Sequence, residues 1–215
     1  MLNRIKKLFH LKKHEEEEIP SVYERIDNLY DELNDDIILI RIGSDLVEYG
    51  KFICDIISEL REEIKNECGF IFPPTRVRDY DWLQENEFNI SINGKEVESG
   101  FLIPNEKGIR EELYETLKSV IYGSLETLFT NEVAEKYIDT VQRKNGWLIW
   151  NITNTLSVIE LKTIMLDIIQ KGKSINNINY IFEQIGEQIL TDGKYKDCLA
   201  KHNPHIIAKQ IVKQL

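Results

Sequence analysis

Two consecutive prolines, Pro73 and Pro74, divide a helix-forming stretch from one that cannot be helical. Proline fixes its own φ, donates no backbone N–H and pushes the residue before it into extended conformation. In Gly69-Phe70-Ile71-Phe72-Pro73-Pro74-Thr75-Arg76-Val77-Arg78-Asp79 the stop is marked a second time by Gly69, where a left-handed helix cap costs least. Upstream, Phe52, Ile53, Ile56, Ile57, Leu60 and Ile64 recur at helical spacing, with Asp55, Glu59, Glu62, Glu63 and Lys65 elsewhere around the wheel. This predicts an amphipathic helix of about five turns that ends at Gly69. Downstream, the spacing predicts a strand with Arg76 and Arg78 on one face and Thr75, Val77 and Asp79 on the other.

Other strand signals surround this unit. Ile37 to Ile42 is short, β-branched and almost wholly apolar, which suits a central strand covered on both faces. Phe88, Ile90 and Ile92 alternate with Asn89 and Ser91 up to Asn93-Gly94, a dipeptide that accommodates the two positive φ angles of a type I′ hairpin. Lys95 to Ile103 is the return strand.

After Pro104 the period changes to 3.6. Ile109, Leu113, Leu117, Val120, Ile121 and Leu128 make one stripe; Val133, Tyr137, Ile138 and Val141 make a second, ended by Asn145-Gly146. Ser157 and Glu160 have the spacing of a capping box, opening a helix stopped by Gly172. Ser174 is placed to cap another, and a short helix follows Pro204. The fold class is α+β: a small, mostly antiparallel sheet with a covering helix, then a helical bundle, either separate from the sheet or packed on its edge. The expected divisions are residues 1–34, 35–104 and 105–215.

The net charge of −10 hides an asymmetry. Residues 1–14 hold Arg4, Lys6, Lys7, Lys12 and Lys13 and no acid, so the rest of the chain carries −10 − 5 = −15. A body that acidic repels phosphate backbones, so nucleic acid is not an expected partner and other proteins are. Within the first 13 residues, Leu2, Ile5, Leu8, Phe9 and Leu11 share one helical face opposite the cations. Two readings stand: a helix lying on an anionic membrane or a partner, or a frayed, solvated terminus. Met1 and this basic start read as a genuine N-terminus. Glu15 to Glu18 read as an acidic linker, and Ser21 as the cap of a short helix through about Leu33. Three cysteines without CxxC spacing fit a reducing, cytoplasmic setting. No run approaches the roughly 18 apolar residues of a membrane span.

Enzyme motifs are missing: no nucleophile elbow, Walker loop, zinc-protease pair or dinucleotide fingerprint is present. No catalytic residue, cofactor or metal is therefore expected. His202 and His205 are separated by Pro204 and lack a carboxylate-rich partner segment. Asp79, Asp81, Glu85 and Glu87 cluster in sequence, which fits either solvated loop acids or acid–base chemistry. Arg76 and Arg78 put two guanidinium groups on one strand face, available to acids of the same fold or of a partner. Trp147 and Trp150 lie three apart and read as core. Trp82, in a polar loop just after Asp79, reads as the preferred contact residue.

Glu67 to Asp79 resembles the "LGF-x-x-PP-x-R-x-RD" segment of the FHIPEP family, the FlhA-type export-gate proteins of flagellar and virulence type III secretion. Asn86 to Val97 is similar to the family's "NEY-x-I-x-I-x-G-x-x-V" hairpin, with Phe88 in place of tyrosine, and Lys171 to Glu183 is similar to its "EGVSIRDLRTILE" helix. The resemblance spans about residues 35–190. It implies a soluble counterpart of the cytoplasmic part, which in the family forms nine-fold rings and docks export chaperones with their cargo. The family's chaperone pocket includes an acid and an aromatic after the R-x-R strand, which the resemblance transfers to Asp79 and Trp82. About a dozen residues separate Ile92 from the helix near Lys107, where the family has a long insert, and the family's membrane half and last β-rich subdomain have no counterpart here. Together these readings describe a non-enzymatic, cytoplasmic interaction module, with an oligomer left open. It would contact secretion apparatus, chaperone or cargo through Arg76, Arg78, Asp79 and Trp82. The rival reading is a membrane-peripheral adaptor recruited by its basic N-terminal helix.

Overall fold

The structure is a computed structural model that describes residues 36–190 and 203–215. The basic segment with Arg4, Lys6, Lys7, Lys12 and Lys13, the Glu15–Glu18 run, the helix expected from Ser21, Cys198 and His202 lie outside the described residues.

Strand β1 (Ile38–Ile42) is followed by a single 3₁₀ segment (Ser44–Tyr49) and helix α1 (Gly50–Cys68), which carries the chain back to β2 (Thr75–Asp79). Strands β3 (Glu87–Ile92) and β4 (Lys95–Phe101) form the hairpin, with Asn93 and Gly94 at φ 49° and 74° as the type I′ turn requires. The order across the sheet is β2-β1-β3-β4, with β1 and β2 parallel and the other two pairings antiparallel. The sheet is thus mostly antiparallel, as the sequence predicts. Its one parallel pair follows from α1, because a crossover helix returns the chain in the direction of the strand it left.

Ile38, Ile40 and Ile42 of β1 are buried with Phe88, Ile90 and Ile92 of β3 against Ile53, Ile56, Ile57, Leu60 and Ile64 of α1. The opposite face of β1 departs from the expectation of apolar cover on both sides. Leu39 and Arg41 are half-buried there, and Arg41 binds the side chains of Asn89 and Ser91 across the ladder. Polar partners on β3 satisfy a charge that an apolar layer could not hold.

Among the described residues seven helices follow: α2 (Glu106–Gly123), α3 (Leu125–Leu128), α4 (Asn131–Gln142), α5 (Gly146–Thr153), α6 (Val158–Gln170), α7 (Ile178–Leu190) and α8 (Pro204–Val212). Asn105, Thr130, Asn145, Ser157 and Asn203 cap five of them, each side chain accepting from a backbone N–H of the first turn. The Ser157–Glu160 capping box is formed in full. The second stripe ends before Asn145-Gly146 as expected, with α4 stopping at Gln142, and the Asn145 carboxamide then opens a helix the sequence reading did not include, α5, by accepting from Leu148 N–H at 3.2 Å. One expectation shifts. Ser174 does not cap α7: its hydroxyl accepts from Asn176 N–H at 3.1 Å within a turn, and Asn177 accepts from Tyr180 N–H at 3.4 Å in its place.

The helical half meets the sheet half along α1. Glu59 binds Arg110 of α2 at 2.5 and 3.3 Å, Glu63 binds Tyr114 and Lys118, and Glu67 binds Lys118 at 3.0 Å and Tyr122 at 2.6 Å. Arg110 holds the Glu59 carboxyl below the usual range, and the hydrogen bond from Tyr122, with that from Lys118, does the same for Glu67. Burial and the Glu67 carboxylate raise Tyr122.

At the end of α1, Gly69 takes φ 81°, and its N–H donates to Lys65 O at 2.9 Å. The Tyr137 hydroxyl of α4 donates to Gly69 O at 2.6 Å and accepts from Ile71 N–H at 3.0 Å. Ile175 N–H donates to Cys68 O at 2.8 Å. Phe70, Phe129 and Tyr137 stack in series, with centroids 5.5 and 5.8 Å apart. A Cβ at position 69 would stand 2.6 Å from Asn176 N and 2.8 Å from the Ile175 carbonyl carbon, both backbone atoms. At Gly172, with φ 70°, it would meet nothing within 4 Å. Gly172→Ala should cost about 1 kcal/mol for the left-handed backbone alone. Gly69→Ala should cost on the order of 3 kcal/mol or more because the clash is added. Urea denaturation of the two variants measures the gap, and equal losses would contradict the close approach.

Candidate functional site

Strand β2 lies at the rim of the sheet, which leaves exposed two arginines that a central strand would have buried. In the parallel register Arg76 stands beside Leu39 and Arg78 beside Arg41, which gathers three guanidinium groups on the face turned away from α1. Asp36, just before β1, brings Oδ2 to 3.5 Å from Arg76 and 3.8 Å from Arg78. Pairing with an acid of the same fold, one of the two options open in the sequence, is therefore present. One carboxylate shared between two half-exposed cations at such distances is a weak, solvent-screened contact. Arg41 Nη1 donates to Asn89 Oδ1 at 3.2 Å and Ser91 Oγ at 3.1 Å, and its guanidinium lies 5.5 Å from the centre of the Tyr80 ring.

The chain then turns. Tyr80 N–H donates to Ile42 O at 3.0 Å and Leu83 N–H to Tyr80 O at 3.1 Å, and Trp82 projects from this turn with 88% of its surface exposed. Asp79, Asp81 and Glu85 are exposed around it, while Glu87 accepts from Gln84 N–H at 2.9 Å. Arg76, Arg78, Asp79 and Trp82 thus follow one another along a single rim, from the edge strand into its turn.

Trp147 and Trp150, expected in the core, are 69% and 64% exposed. Helix α5 buries one stripe, and Leu148, Ile149 and Ile152 occupy it, which leaves both indoles on the opposite face. His205, whose sequence neighbourhood shows no acidic segment, binds Asp167 of α6 at 2.7 Å, a partner that only the fold brings near. No three His, Cys, Asp or Glu side chains among the described residues are grouped to hold a metal ion.

A concavity lies at the start of β2. A cavity of ≈ 570 Å³ opens between α1, the Phe72–Thr75 segment and α4, lined among others by Ile57, Arg61, Pro73, Thr75, Lys136 and Tyr137. Arg61 lies 4.5 Å from the Phe72 ring centre and donates to Phe72 O at 3.4 Å and Pro73 O at 3.3 Å. Burial lowers the Arg61 pKa and pushes the Tyr137 phenol up to about 12. Thr75 Oγ1 is buried there without a partner. Asp36, Arg41, Tyr80 and Arg61 were not singled out in the sequence. Arg41 could have been, since it shares its strand face with Leu39 inside an otherwise aliphatic run.

The architecture is a helix-backed mixed sheet that leads into a helical array. It is the fold of Chlamydia pneumoniae CdsV, superposing with a TM-score of 0.66 at 14% identity over 81% of this chain and 69% of that one. CdsV solved with CdsO gives 0.67 at 15% identity, over 81% and 63%. The nonameric EscV cytosolic domain from the type III secretion system gives 0.66 at 13% identity, over 83% and 63%. The FHIPEP family profile matches residues 3–113, more than half of the sequence, and the chain belongs to that family. Flagellar biosynthesis protein FlhA of Bacillus subtilis (strain 168) is 24% identical over an alignment of 213 residues covering 77% of this chain. The chain spans 31% of the length of that relative.

Trp82→Ala should leave stability within about 0.5 kcal/mol, because the indole touches little. Phe88→Ala, which empties a buried site, should cost on the order of 3–5 kcal/mol. Thermal unfolding of both variants distinguishes a free rim residue from a structural one, and a comparable loss for Trp82→Ala would place the indole in the core.

Proposed function

We propose that this protein is a non-enzymatic, cytoplasmic interaction module related to the cytoplasmic part of the flagellar and type III export gate, binding export components, chaperones or cargo. The contact rim is Arg76, Arg78, Asp79 and Trp82. One observation carries this reading: a tryptophan 88% exposed, three residues past an edge strand whose two arginines share one carboxylate. An exposed indole costs solvation unless something covers it, and tryptophan and arginine are the side chains that most often dominate protein–protein binding energy. Family membership supports the export setting, and the CdsV–CdsO complex and the EscV nonamer support protein partners and assembly into higher oligomers. No described helix is long and apolar enough to cross a membrane.

Affinity capture from the native cell tests this reading. Wild-type protein should recover secretion or flagellar components, and the Asp79→Ala/Trp82→Ala double variant should lose them by about tenfold or more. Recovery of none, or capture indifferent to the double variant, would overturn it.

A second reading rests on the basic segment holding Arg4, Lys6, Lys7, Lys12 and Lys13, which carries no acid. In it, this segment recruits the acidic body to anionic lipid. Flotation with phosphatidylserine vesicles should then show binding that weakens with salt and vanishes when residues 1–14 are deleted. Binding that survives the deletion removes this reading.

A further inference from the structure

Resting on the interaction reading above, we infer that the open edge of β2 takes its partner as an added strand, and that the segment taken alternates acidic with apolar residues. The backbone gives the first part of the argument. Tyr80 N–H donates to Ile42 O, and the parallel register pairs Ile42 with Asp79 and Ile40 with Val77. Peptide groups alternate in direction along a strand, so those of Arg76, Arg78 and Tyr80 turn toward β1. Those of Thr75, Val77 and Asp79 turn outward, and among the described residues β2 has no neighbour on that side. An edge of this kind is a template for another chain, by the same hydrogen bonds that hold the sheet.

The side chains give the second part. Edge strands are usually guarded by charge, but a guard of a single sign also selects. On the face turned from α1, Arg76 and Arg78 are exposed two residues apart, with Arg41 beside Arg78 and, among the described residues, Asp36 as the carboxylate within 4.0 Å of the first two. In a chain of net charge −10 this is a local excess of cations. A strand laid along β2 would bring alternate side chains directly against Arg76 and Arg78, where carboxylates pair and ammonium groups repel. Its intervening side chains would turn to the other face, where Thr75 and Val77 are half-buried and the cavity beside Pro73 and Thr75 opens. Apolar residues fit there. Trp82 stands three residues beyond the strand and offers an exposed surface to the end of the added segment.

The probe is a short peptide alternating glutamate and valine, added to the full chain, with amide hydrogen exchange read by NMR. Strand addition should slow exchange at Thr75, Val77 and Asp79 by about tenfold or more, and leave the already bonded amides of Arg76 and Arg78 nearly unchanged. Affinity should fall on the order of tenfold for Arg76→Glu/Arg78→Glu, and the lysine–valine peptide should not bind. Val77→Pro removes an outward N–H at a position where an edge strand tolerates proline, and should abolish binding with the circular dichroism spectrum unchanged. A glutamate–valine peptide N-methylated at alternate amides should also fail, a result independent of how that variant folds. Equal binding by the N-methylated peptide, or no protection of the three amides, would overturn strand addition while leaving the rim reading intact. If those amides become protected in the protein alone as its concentration rises, the occupant is a second copy, through an edge such as β4 with Glu96 and Glu98, and the partner-segment inference falls. Native capture that ignores Asp79→Ala/Trp82→Ala would instead remove the broader reading, whatever the peptide does.

Discussion

The Tyr137 phenol governs where this fold changes direction. It satisfies one carbonyl and one amide at the exit of α1, donating to Gly69 O and accepting from Ile71 N–H. Both groups lie just past a helix end, where the backbone has no ladder of its own. Deprived of the hydroxyl they would be unpaired beside a buried stack of Phe70 and Phe129. With it in place, the chain leaves the helix at a fixed angle, the prolines hold it extended, and β2 meets β1 in register. The arginines and the tryptophan of the rim inherit their positions from that junction.

Much of this was legible beforehand because the signals were local. A glycine cap, two prolines, a two-residue turn and a capping box each act within four residues of themselves, and each stands where the sequence put it. Ser174 misled because a hydroxyl that can cap a helix can equally close a turn, and neighbouring backbone geometry decides. The exposure of Trp147 and Trp150 was not legible, because a two-turn helix with five apolar side chains in seven residues has no periodic contrast to show which stripe is inside.

The rim was partly legible. Alternation placed Arg76 and Arg78 on one face, and the polar context of Trp82 set it apart from the other two indoles. What alternation cannot supply is the neighbour across the ladder. Arg41 joins the cluster, Asp36 lies between two of its members, and Tyr80 receives a third only because β1 and β2 run parallel at one particular offset. The same holds for Arg61, whose partners are carbonyls of the very loop that α1 leads into.

The seam between α1 and α2 has a consequence of a mechanical kind. Glu59, Glu63 and Glu67 grip side chains of α2 along the C-terminal half of α1, and the phenol on α4 and the amide of Ile175 fasten that same end. The fastenings therefore gather where the chain turns from helix toward β2. Any shift of that helix end would be shared by the sheet edge and the helical array together, as two leaves move on one clasp.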